Sequence, residues 1–276
     1  MIKIINGDSI KELKNFPDNY FHSVVTDPPY GLSAARNSGK KSKGGFMGKK
    51  WDYDVPSVEL WTEVFRVLKE GGYLLSFAGT RTQHRMAVNI EDAGFEIRDM
   101  IAWVYGSGFP KSHNIGKAVD KLQGYERMII GERKVLDMTG GNYKNTFDKT
   151  DKQFDITKGS SEWEGWGTAL KPALEPITMA RKPFKTSVAE NVLKNGVGGI
   201  NIDGCRVKGK PRTTHIDGNY DSANNKIYGK REGGKLDVPQ GRFPANFIHD
   251  GSDEVKDLFP HTKNNARPNQ TNFKLI

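Results

Sequence analysis

Apolar positions along the chain fall into short blocks whose period switches between two and three to four. Ile2 to Asn6 alternates loosely and stops at Gly7-Asp8-Ser9, after which Ile10, Leu13 and Phe16 recur at helical spacing. This predicts a strand, a turn and a short helix. His22-Ser23-Val24-Val25-Thr26 is rich in β-branched residues and predicts a second strand. It stops at Asp27-Pro28-Pro29-Tyr30-Gly31, where two prolines cannot donate to a ladder and the chain is biased into a loop. From Pro56 onward Val58, Leu60, Trp61, Val64, Phe65, Val67 and Leu68 form one apolar face, and Glu70-Gly71-Gly72 predicts a glycine carboxyl cap. Tyr73 to Phe77 reads as a buried strand and His84 to Ala93 as a helix closed by Gly94. Phe95 to Val104 reads as a strand broken at Tyr105-Gly106-Ser107-Gly108-Phe109-Pro110-Lys111.

Strands alternating with helices of this length predict an α/β fold with a mixed, mostly parallel sheet. In such sheets ligands sit outside the carboxyl ends of the strands. Beyond Pro110 the periodicity weakens, and the Gly-, Asn-, Lys- and Thr-rich stretch 131–165 reads as an insertion. Pro176-Ile177-Thr178-Met179-Ala180-Arg181 predicts a strand ended by Lys182-Pro183, and Val188 to Leu193 a short helix. The chain therefore divides into 1–111, an inserted region 112–165, a continuation of the core 166–203, and a basic region with a polar tail, 204–276.

Composition narrows the class. The 276 residues are 36% apolar and carry a net charge of +9, enough apolar content for a packed core and a basic balance that suits a polyanion. The longest apolar runs, such as Tyr73 to Ala78, fall short of the roughly 18 residues a membrane helix needs, and no signal peptide is seen. One cysteine, Cys205, reads as a small buried filler, and the histidines are scattered without metal-ligand spacing. The expectation is a reducing, cytoplasmic, metal-free protein. Lys40, Lys41 and Lys43 lie in a Gly/Ser/Lys-rich loop directly after the proline motif. Arg206, Lys208, Lys210 and Arg212 open a second basic stretch. Both are candidate phosphate contacts, and the tryptophans read as packing residues.

Asp27-Pro28-Pro29-Tyr30 carries the chemistry. An ionised carboxylate and a carbonyl ahead of a proline only accept hydrogen bonds, and a phenol ring stacks. Two acceptors and an aromatic face suit an exocyclic amine on a flat ring: each acceptor takes one N–H, the lone pair withdraws from the ring, and the nitrogen attacks an electrophile. The residues alone leave the donor open, and a plain proline-rich turn after a strand is the competing interpretation.

This tetrapeptide resembles the (Asp/Asn/Ser)-Pro-Pro-(Tyr/Phe/Trp) motif of the amino DNA methyltransferases, which methylate adenine N6 or cytosine N4 from S-adenosylmethionine. The similarity continues through Gly7-Asp8-Ser9, Leu68 to Phe77, Trp103 to Lys111, Gly165 to Pro172, Glu175-Pro176-Ile177, Ala180 to Pro183, Asn201 to Arg206 and Arg242 to Asn246. It covers most of residues 1–260 and is closest to a bacterial and phage branch. The resemblance implies a methyltransferase-type sheet, S-adenosylmethionine as cofactor and double-stranded DNA as partner. It further implies catalysis by Asp27, Pro28, Pro29 and Tyr30, with Asp8, Ser9 and Asp27 at the cofactor. Target recognition would fall to 112–165, and the target base would be rotated out of the duplex. An aspartate at the first motif position points to adenine N6, with cytosine N4 as the second choice.

The departure is a Phe-x-Gly-x-Gly turn that the family uses around the cofactor and that is not found in this sequence. The expected sheet is then incomplete. A second chain supplying the turn in a split enzyme, a homodimer, a truncated reading frame and a non-catalytic DNA-binding subunit all remain open, as does an amine on RNA or protein as substrate.

Overall fold

The computed structural model describes residues 2–31, 53–108, 112–136, 151–207, 214–216, 234–236 and 241–259. Its elements run α1 (Ser9–Leu13), β1 (Phe21–Thr26), α2 (Val58–Val67), β2 (Leu68–Phe77), α3 (Gln83–Asp92), β3 (Glu96–Val104) and α4 (Ile115–Gln123). There follow β4 (Met128–Leu136), β5 (Asp151–Lys158), β6 (Leu174–Arg181), α5 (Val188–Asn195), β7 (Thr214–Ile216), β8 (Gly234–Leu236), β9 (Phe247–His249) and α6 (Asp253–Lys256). Two compact units result, Met1–Gly106 with Leu174–Ile276, and Ser107–Ala173.

The first unit is built on a five-stranded sheet in the order β1-β2-β6-β3-β9. β1 runs parallel to β2, β6 runs antiparallel to both β2 and β3, and β9 runs parallel to β3. Four strands thus point one way and β6 alone is reversed. The carboxyl ends of β1, β2, β3 and β9 and the amino end of β6 therefore share one edge of the sheet.

The apolar face of α2 buries Trp61, Val64 and Val67, which join Leu68, Leu74, Met86, Ile90, Phe95 and Ala180 in the core. Lys182 closes the far side. Its buried amine donates to the carbonyls of Arg66 and Leu68 at the end of α2 and to Asn19 Oδ1, so the helix carboxyl end is capped by a cation. Burial holds its pKa below the ordinary lysine value.

Two expectations fail here. Ile2–Asn6 forms no ladder, and Ile2 and Ile4 stand almost fully exposed, because period-two alternation says nothing about whether a neighbouring strand exists. Glu70-Gly71-Gly72 is not a helix cap: α2 passes straight into β2 at Leu68, and the glycines lie inside the strand. Gly71 has φ +81 and lies against the Asn191 amide, its N–H donates to the Lys182 carbonyl, and Lys182 N–H returns a bond to Gly72. The register with β1 shifts beside it, between Phe21 and Ser23.

The second unit, taken by itself, holds α4 and the antiparallel β4–β5 hairpin. The sequence reading gave no helix or hairpin there, although Asn114 caps α4 through Lys117 N–H and Gly124 closes it at φ 73. Arg127 is its internal fastener, paired with the buried Asp120 and with Glu164 and donating to the Thr157 carbonyl. The guanidinium holds the Glu164 carboxyl below the usual range. Ser112 Oγ accepts from the backbone N–H groups of Thr168 and Ala169, tying the unit's two ends together. Among the described residues no helix is long and apolar enough to cross a membrane, and no group of acidic, His or Cys side chains could hold a metal ion.

Candidate active site

Asp27 follows the last residue of β1, so its carboxylate sits at the edge where the parallel strands end. It is exposed, whereas Pro28, Pro29 and Tyr30 are half-buried behind it. The Tyr30 hydroxyl lies near the Asp27 carboxylate. Burial and the nearby carboxylates push the phenol well above its ordinary pKa, so it stays a neutral donor across the physiological range.

Two residues outside the tetrapeptide set its shape. Gly31 turns the chain at φ +61, and a Cβ there would come within 2.7 Å of the Val55 backbone nitrogen. The buried Thr82 hydroxyl donates to the Tyr30 carbonyl at 2.6 Å, fixing the loop to the start of α3. Tyr105, just past β3, and Glu175, second in β6, complete the edge: burial and the Glu175 carboxylate raise the Tyr105 phenol above its ordinary pKa, and both residues lie close enough to act on Tyr30 electrostatically. Sequence reasoning had no signal for Thr82 as a loop anchor. It quoted Tyr105 and Glu175 only inside longer motifs.

A groove of about 720 Å³ runs along the outer edge of β1, within the size range of cofactor sites. Phe21, Val24, Val25 and Thr26 form one wall, Lys3, Ile5, Gly7 and Ser9 the other, and Leu60, Trp61, Val64 and Val67 of α2 the floor. Apolar lining with a polar rim suits a nucleoside-bearing group, and Thr26 leads directly into Asp27. Asp8 lies between two rim residues, but one carboxylate oxygen is engaged as the cap of α1, accepting from Ile10 N–H at 3.0 Å and Lys11 N–H at 3.3 Å. Trp61 Nε1 is buried beside this groove without a hydrogen-bond partner.

Comparison with known proteins decides the family. The N6/N4 family described as DNA methylase matches residues 21–226, from the start of β1 into the basic stretch. The chain belongs to the N6/N4 DNA methylase family. S-adenosylmethionine is the cofactor that goes with it. The type II methyltransferase M.HindIII of Haemophilus influenzae is 29% identical, over 72% of this chain and 64% of its own length. The type II methyltransferase M.HpaI of Haemophilus parainfluenzae is 27% identical, over 44% of this chain and 37% of its own. This chain thus spans less than two thirds of the length of these relatives. Among solved structures, the PvuII cytosine-N4-specific DNA methyltransferase is 16% identical with a TM-score of 0.32, covering 68% of this chain and 52% of that one.

Within this N6/N4 methylase, Asp27, Pro28, Pro29 and Tyr30 come together at one strand end, and Ser9 lines the groove that begins beside them. Arg206 is engaged inside the chain, with Nε 2.7 Å from Asp203 and the guanidinium over the Phe243 ring. Lys40, Lys41, Lys43, Lys208, Lys210 and Arg212 lie outside the described residues, as does Trp51. Cys205 is exposed rather than a buried filler. Trp61 is core as expected, but Trp163 and Trp166 form an exposed edge-to-face pair.

Proposed function

We propose that this chain methylates adenine N6 in duplex DNA from S-adenosylmethionine, with the target base extruded against Asp27-Pro28-Pro29-Tyr30. The observation that carries this reading is the exposed Asp27 carboxylate beside a half-buried, neutral Tyr30, at the end of the strand that walls the groove. Asp27 and the Pro28 carbonyl each accept one N–H of the exocyclic amine, drawing its lone pair out of ring conjugation. Pro29 stiffens the loop, and Tyr30 stacks on the base, a contact worth about 1–3 kcal/mol. The cofactor, when bound, supplies a methyl group on a cationic sulfur. The sulfur would keep the bonding pair of the methyl group it gives up, and Asp27 would meet the positive charge arriving on the amine nitrogen until a proton leaves for solvent. Asp8 and Ser9 would hold the cofactor from the groove rim.

The unit Ser107–Ala173 is the proposed target reader, since it carries exposed aromatic side chains and lies outside the sheet. Lys40, Lys41, Lys43, Arg206, Lys208, Lys210 and Arg212 would contact phosphates. Digesting methylated duplex to nucleosides tests the base: N6-methyladenine is expected, and N4-methylcytosine would move the assignment to cytosine.

One observation favours a second reading. Among the described residues no strand pairs with the outer edge of β1, and the groove is lined by β1 residues and by Lys3, Ile5, Gly7 and Ser9 of a segment that forms no ladder. A further strand, from a second chain carrying a glycine-rich turn or from a second copy, would then complete the cofactor site, and this chain alone would act as a DNA-binding half. Calorimetric titration with S-adenosylmethionine separates the two: binding by this chain supports the self-sufficient enzyme, and no heat supports the half.

A further inference from the structure

We infer that Arg81 and Arg85, with His84 between them in the chain, form a phosphate-contacting patch that seats the DNA strand beside the Asp27–Tyr30 loop. The inference rests on the DNA-methylation reading of that loop and adds where the backbone of the target strand lies. β2 ends at Phe77 on the edge of the sheet where β1 ends, and the chain turns there into α3. The N–H groups of Thr82 and Gln83 both donate to the Gly79 carbonyl, at 3.0 and 2.9 Å, so the backbone of Arg81 lies inside two closed turns. Thr82 is buried, and its hydroxyl donates to the Tyr30 carbonyl at 2.6 Å. Arg81 is therefore one residue from the contact that fastens the loop, and His84 and Arg85 follow within the next turn.

Thr82, Met86 and Ile90 are the buried positions along this segment, whereas Arg81, His84, Arg85 and Val88 are exposed. Spacings of three and four residues put the exposed set on one side of the helix, away from the core. What separates these cations from others in the molecule is that they are uncommitted. Arg66, Arg127, Arg181 and Arg206 each give their guanidinium to a carboxylate, and Lys182 gives its amine to backbone carbonyls. Arg81 and Arg85 form no ion pair among the described residues, and the first turn of α3 carries no acidic side chain. His84 and Arg85 also line an open hollow of about 610 Å³, in which Asp54 is the one carboxylate among the described residues, with an oxygen that accepts Val55 N–H at 2.8 Å. A guanidinium keeps its charge at any working pH and presents a planar fork that matches phosphate oxygens. In the methylation reading, a base brought to Asp27 carries its own flanking phosphates to the rim of this edge. Two unpaired guanidiniums beside the loop fit that backbone by charge and by place.

The test is binding of the full chain to fluorescent duplex DNA, followed by anisotropy at stepped salt concentrations. The variants are Arg81→Gln, Arg85→Gln, the two together, and the corresponding Arg→Lys pair. Lys194→Gln is the control, because it removes an exposed charge from α5, the helix that packs at the Gly71 end of β2. Each Arg→Gln change should lower the slope of log binding constant against log salt by about one, and the double variant by about two. The loss should be the same on target and unrelated duplexes, since phosphate contacts carry no sequence information. The Arg→Lys pair and Lys194→Gln should keep the wild-type slope, and all variants should unfold thermally as the wild type does. A wild-type slope in the double Gln variant, or an equal drop in Lys194→Gln, overturns the patch and leaves the methylation reading standing. The expected drop in a chain that yields no methylated base supports the patch and overturns the methylation reading. A wild-type chain that binds no duplex overturns both.

Discussion

β6 and β1 both flank β2, and they differ in almost every other respect. β6 is paired on both edges and buries Pro176, Ile177, Thr178 and Ala180, whereas β1 is paired, among the described residues, with β2 alone and leaves Val25 66% exposed. The candidate reactive loop follows β1. A central strand gains from burial on both faces but has little room beside it, whereas an edge strand gives up that burial and leaves space for a ligand next to its carboxyl end. Stability of this unit therefore resides in β2, β6 and the helices over them, and the proposed chemistry lies at the end of a strand that buries none of its residues fully.

The contrast can be broken by substitution, with the largest effect expected at the centre. Leu74→Ala, in β2 and fully buried, should cost about 2–5 kcal/mol in chemical denaturation, and a cost below 1 kcal/mol would mean that the sheet centre is not the stabilising region. Gly31→Ala should come next. It forces a side chain into a left-handed backbone position and against the Val55 backbone, at about 1–3 kcal/mol. Methyl transfer should fall with it, and a variant that keeps both stability and rate would show that the loop does not need this turn. Val25→Thr should shift stability by no more than about 0.5 kcal/mol. A larger loss would show that a partner covers the β1 edge in the assembled protein.

The two strands also differ in what their sequences disclose. β1 and its loop were legible because a β-branched run stopped by two prolines has one local meaning, and β3, α3 and the short helix α5 were legible from their periodicity. β6 was legible as a strand but not in direction, since alternation is the same read either way. The proximity of Glu175 to Tyr105 follows from that direction and so could not be read locally. Asp8 carried a local signal that went unused. Its position before a short helix is a capping signal, and one of its oxygens is spent there, although resemblance alone assigned it to the cofactor. In the second unit, α4 carries readable caps in Asn114 and Gly124, but the weak periodicity around it masked them. The pairing of Arg127 with Asp120 and Glu164 depends on tertiary contact.

The central claim is that the end of β1 performs methyl transfer through Asp27. Single-turnover transfer of labelled methyl from S-adenosylmethionine to duplex DNA, measured for the wild type and Asp27→Ala alongside DNA affinity and thermal unfolding, tests it most directly. The account predicts that the variant loses transfer while binding DNA and unfolding as the wild type does, since the carboxylate is exposed and carries no part of the core. Transfer at the wild-type rate by Asp27→Ala would contradict it.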